Sequence, residues 1–76
     1  MTTVTTYDMY SKDTIIRLVE QEGGYTAVRQ KGKGRHSQGQ WTIAIDFSDT
    51  LDGLTFMKAL RDYDGISYSV LNSNGL

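Results

Sequence analysis

Nine consecutive positions, Val28-Arg29-Gln30-Lys31-Gly32-Lys33-Gly34-Arg35-His36, hold four of the chain's eight Lys and Arg residues and its single histidine. No acidic residue lies between Glu22 and Asp46, so whatever approaches this stretch meets uncancelled positive charge on a glycine-loosened backbone. Arg29, Lys31, Lys33 and Arg35 are suited to neutralising the phosphates of a polyanion. His36 carries the one side chain that titrates near neutral pH, which makes it a candidate to take a proton as a general base. A solvated, basic hairpin tip has the same composition. The histidine is what separates the two readings.

Other residues with chemical potential form weaker patterns. Gly32 and Gly34 lack both the spacing of a phosphate-cradling loop and a helix directly after it, and they read as turn flexibility. Asp46, Asp49 and Asp52 match no calcium-loop spacing; helix capping and first-turn charge account for Asp49 and Asp52. Tyr25 and Trp41 are rings that stack on bases or pack into a core, and Trp41 heads an alternating strand, where the core role is the commoner one. The chain has no cysteine and one histidine. It therefore has no disulfide framework and no evident zinc site, and neither a metal nor a small-molecule cofactor is expected.

Seventy-six residues make one domain, near the small end of what folds alone. The net charge of −1 excludes a globally basic nucleic-acid binder, so attraction to a polyanion has to come from local segregation of charge. No apolar run approaches the roughly 20 residues that span a bilayer. The start, Met1-Thr2-Thr3-Val4-Thr5-Thr6, has neither the basic flank nor the apolar stretch of a signal peptide, and the expectation is a cytoplasmic, unexported chain without a membrane partner.

The elements that must position the basic stretch follow from periodicity. Residues 1–10 are threonine-rich and read as an N-terminal arm, loose or packed against a sheet. Ile15, Leu18, Val19 and Glu22 recur at helical spacing, with Ser11 or Asp13 available as a cap and Gly23-Gly24 as a stop, which predicts a helix over 12–22. Tyr25–Gln30 reads as a strand and 31–40 as a turn-rich connection. In Trp41–Phe47 the residues Trp41, Ile43, Ile45 and Phe47 fall on one face and Thr42, Ala44 and Asp46 on the other. A second helix begins near 49–52, repeats Phe56, Ala59, Leu60 and Tyr63, and stops at Asp64-Gly65. Ile66, Tyr68, Val70 and Leu71 fit an edge strand or a short helix, and 72–76 read as a frayed tail. Together these predict an α+β domain over 11–71, with two helices on one face of a small antiparallel sheet.

This order of signals resembles the HicA family of toxins from toxin–antitoxin pairs, which cleave mRNA and have a fold like a double-stranded-RNA-binding domain, α-β-β-(β)-α. The resemblance rests on the helix opening Ser11-Lys12-Asp13, Gly24-Tyr25, the run Val28-Arg29-Gln30-Lys31-Gly32, the histidine shortly after it, and Thr50-Leu51-Asp52-Gly53-Leu54 leading into a helix that ends Asp64-Gly65-Ile66. It covers about residues 11–71. It implies a metal-independent endoribonuclease with His36 as the catalytic group, RNA as substrate, and an antitoxin or other protein as partner. Metal-free RNA cleavage needs a base for the ribose 2′-hydroxyl, cations for charge developing on the phosphate and a proton for the leaving oxygen; His36 with Lys31, Lys33 and Arg35 supplies the first two, and water or a lysine has to serve as the acid. The family's Gly-Ser-His stands here as Gly34-Arg35-His36, with Lys33-Gly34 as an insertion. That difference motivates an alternative, a non-catalytic interaction protein on the same fold, such as a phage- or plasmid-borne inhibitor whose basic loop binds a protein partner.

Overall fold

The computed structural model describes residues 2–30 and 39–73. In chain order the elements are β1 (Thr2–Thr6), α1 (Met9–Gln21), β2 (Tyr25–Gln30), β3 (Trp41–Asp46), α2 (Thr50–Asp62) and β4 (Ser69–Ser73). The strands form one antiparallel sheet in the order β2-β3-β1-β4. The class is the one expected, α+β with two helices on one face of an antiparallel sheet. Its kernel α1-β2-β3-α2 is flanked by β1 and β4, which gives a β-α-β-β-α-β chain. A further strand between β2 and β3 would fall in 31–38, outside the described residues.

The N-terminal segment corrects the reading of an arm over residues 1–10. Thr2–Thr6 form an interior strand, paired on one side with β3 (Val4 opposite Ile43, Thr6 opposite Trp41) and on the other with β4 (Val4 opposite Val70). Threonine is β-branched and suits a pleated strand, which is why a segment with one aliphatic residue in five holds this place. Of the expected tail over 72–76, Asn72 and Ser73 belong to β4, and 74–76 lie outside the described residues. The edge strand runs to Ser73, and Leu71 forms a bulge where the register shifts between Thr3 and Val4.

Helix α1 starts earlier than its periodicity implies, because the cap is Asp8 rather than Ser11 or Asp13; the Asp8 carboxylate accepts from the Ser11 amide. Gly23, with φ of 76°, takes the left-handed conformation that ends the helix. Asp49 caps α2 through the Leu51 amide, and Asp52 adds negative charge in its first turn, as expected. Ile15, Leu18 and Val19 of α1, Phe56 and Leu60 of α2, Val4 of β1, and Ile43 and Ile45 of β3 form one core. Phe47, Met57, Tyr63, Ile66 and Tyr68 pack on its margin. No helix among the described residues covers the opposite face of the sheet.

Gly24 joins α1 to β2 at a point with no room for a side chain. A Cβ there would lie 2.5 Å from the Phe47 ring and 2.7 Å from a Val19 methyl, and Phe47 is itself held against Phe56 with ring centroids 5.5 Å apart. Gly24→Ala is expected to destabilise the fold by about 1–3 kcal/mol through overpacking. Urea midpoints check this, and Phe47→Leu in the Gly24→Ala background should recover part of the loss.

Candidate nucleic-acid interface

The positions of side chains on the sheet follow from alternation. Val4, Ile43 and Ile45 point into the core, so Thr3, Thr5, Thr42, Ala44 and Asp46 belong to the helix-free face. On β2 the residues paired with Asp46, Ala44 and Thr42 are Tyr25, Ala27 and Arg29, and these lie on the same face. Of the predicted phosphate-binding residues Arg29 is therefore placed, on the helix-free face of an edge strand. It is exposed and makes no ion pair with Glu20, Glu22, Asp46 or Asp49. Lys31, Lys33, Arg35 and His36 lie outside the described residues.

The ends of that segment are fixed. Gln30 is opposite Trp41, and Trp41 is opposite Thr6, so the basic segment leaves and rejoins the fold at one end of the sheet. Gly39, with φ of 71°, turns the returning chain, and the Gln40 amide donates to the Tyr7 hydroxyl at 3.4 Å. Trp41 is half-buried, with the Lys12 ammonium 4.6 Å from its ring centroid. Lys12 also pairs with Asp13 at 2.6 Å. Tyr7 and Tyr10 are exposed beside this end, on either side of the α1 cap. Sequence reasoning left both in the arm; only the pairing of β1 with β3 brings them here.

Two depressions mark the helix-free face. The larger, about 600 Å³, is lined by Thr3, Ala27, Val28, Arg29, Thr42, Ala44 and Leu71. The smaller, about 170 Å³, lies between Tyr25 and Asp46 and shares Ala27 and Ala44 with the first. Tyr25 is 66% exposed, so it is a free ring rather than a core residue. The signal for this grouping is present in the sequence as Tyr25, Ala27 and Arg29 at alternate positions of a strand.

One part-buried junction ties the start of α1 to the segment before β4. The Ser11 hydroxyl donates to Asp8 Oδ2 at 2.8 Å and accepts from the Ser67 amide at 2.9 Å, while the Thr6 hydroxyl donates to the Ser67 carbonyl. Among the described residues no group of three or more acidic or histidine side chains is placed to hold a metal, and no helix is long and apolar enough to cross a membrane. No family model, curated protein or solved structure matches the chain.

The Ser11 amide, and then its hydroxyl, hold the Asp8 carboxyl below its ordinary value of 3.8. A depressed folded value means that Asp8 stabilises the fold above the unfolded value and ceases to do so as pH falls through the folded one. The gap in thermal midpoint between the wild type and Asp8→Asn is therefore expected to be full near neutral pH and to close as pH drops below about 4. Ser11→Ala should cost about 1 kcal/mol at neutral pH, since it deprives the Ser67 amide of its acceptor.

Proposed function

We propose that this protein acts on RNA, in the manner of the HicA toxins its sequence resembles. Arg29, Lys31, Lys33 and Arg35 bind phosphates, and His36 takes the proton from a ribose 2′-hydroxyl. The observation that carries the reading is Arg29. It stands exposed and without an ion pair among the described residues, on the strand that leads directly into the lysines and the histidine. Positive charge that no neighbouring carboxylate cancels attracts a polyanion and is screened by salt. The proton step needs no metal, and a single well-placed base contributes about 10²–10⁴-fold. A protein antitoxin is the partner this reading entails.

The distinguishing experiment is incubation of RNA with the purified protein in the presence of a chelator. Cleavage that His36→Ala abolishes supports the enzyme reading. If His36→Ala is silent while charge reversal at Arg29, Lys31, Lys33 and Arg35 abolishes binding to a protein partner, the chain is instead a non-catalytic interaction protein, the reading that the Lys33-Gly34 insertion favours.

RNA binding itself has a quantitative signature. With about three or four phosphates neutralised, the logarithm of the binding constant should fall against the logarithm of salt with a slope of roughly −2 to −3 on single strands. Lys33→Ala should reduce that slope by about 0.7 and weaken different RNA sequences nearly equally, because a lysine contacts phosphate as a point charge and reads no base edge. Fluorescence anisotropy titrations at several salt concentrations check both.

A further inference from the structure

We infer that the helix-free face of the sheet holds one unpaired nucleotide of the bound RNA. Its base lies in the depression between Tyr25 and Asp46, and its phosphate lies on Arg29. The inference rests on the RNA reading above and specifies the form of RNA taken, a single strand, and the class of base preferred, one with an exocyclic amine.

The geometry of the face carries it. Arg29 and Asp46 are the charged side chains on the helix-free face of the described strands, and they stand towards opposite ends of it. Tyr25 and Arg29 are four residues apart on β2, which places them roughly 14 Å apart along the strand. A phosphate is drawn to the Arg29 end and repelled from the Asp46 end, so a nucleotide on this face has its polarity set. The depression at the Asp46 end is about 170 Å³, comparable to a cavity of about 150 Å³ that accepts one benzene ring. It exists because the paired residues Ala27 and Ala44 fill so little of the space beside Tyr25 and Asp46.

The chemistry of the lining then selects the occupant. Tyr25 offers an exposed ring for stacking, which every base can use. Asp46 accepts one hydrogen bond from the Phe47 amide through Oδ1 at 3.0 Å, which leaves Oδ2 to accept another. A carboxylate accepts from the amine of cytosine and has nothing to offer the corresponding carbonyl of uracil except repulsion. A duplex keeps its bases stacked inside and cannot place one in this depression.

The test uses single-stranded oligocytidylate and oligouridylate of about ten nucleotides, within the span a small domain covers, together with a duplex of the same length. Binding is read by anisotropy and folding by circular dichroism. The wild type should bind oligocytidylate about threefold or more tightly than oligouridylate. Asp46→Asn should narrow that ratio, since an amide presents both a donor and an acceptor. Tyr25→Ala should weaken oligocytidylate about fivefold or more and leave the duplex unaffected. Ala44→Leu should weaken it by filling the depression; Tyr25→Ala, at an exposed position, decides the matter if Ala44→Leu does not fold. If Tyr25→Ala leaves oligocytidylate binding unchanged while charge reversal at Lys31 and Lys33 abolishes it, RNA is bound elsewhere: the face is not the site, and the RNA reading stands. If no RNA binds the wild type, both fail. Concentration-dependent self-association that Ala44→Leu removes would make this face a contact between copies of the chain and would likewise overturn the inference.

Discussion

Strand β1 is the constraint on which the rest of the structure depends. It lies between β3 and β4, and its backbone groups pair on both sides, so without it the edge strand β4 has no neighbour and β3 loses one ladder. Backbone polar groups withdrawn from water need partners, and β1 supplies them to two strands at once. Its core-facing residues, Thr2, Val4 and Thr6, lie under the helices, and the Thr6 hydroxyl reaches across to the connection between α2 and β4. Thr2 Oγ1 is buried without a hydrogen-bond partner among the described residues, a local cost that the strand's position outweighs.

The junction after β1 ties the start of α1 to the segment that leads into β4. Asp8 caps α1 and orients the Ser11 hydroxyl, and that hydroxyl receives the Ser67 amide just before β4. Two chain segments far apart in sequence thus meet through a short, fully satisfied set of hydrogen bonds. The same end of the sheet receives the basic segment, because Gln30, Trp41 and Thr6 stand in one row.

The two faces of the sheet divide the work. One is closed by Ile15, Val19, Phe56 and Leu60. The other presents Arg29, Tyr25 and Asp46 around shallow depressions, with the opposite charges kept apart by the cross-strand pair of Ala27 and Ala44. Charge is segregated rather than uniform: Arg29 and Asp46 stand at opposite ends of this face, and no acidic residue lies between Glu22 and Asp46 in the chain.

The sequence by itself determined both helices, strand β3 with its buried face, and the α+β class, because their apolar residues recur at the periods of helix and strand, while β2 was legible from its length and composition. It also determined the gathering of cations between Glu22 and Asp46 and the alternation of Tyr25, Ala27 and Arg29. Helix starts were less legible. Asp8, Ser11 and Asp13 are all capable caps; the fold uses Asp8, whose carboxylate accepts from the Ser11 amide and hydroxyl, while that hydroxyl accepts from the Ser67 amide. The interior position of β1 and the extension of β4 to Ser73 were decided only by tertiary structure. Thr2–Thr6 has one aliphatic side chain, so its local pattern is that of a polar arm; what makes it central is backbone pairing with strands some forty and seventy residues away, and hydrogen bonds between backbones leave no mark on side-chain periodicity. The same pairing decided that Asp46 and Tyr25 border one depression, since only register brings residues of two strands face to face.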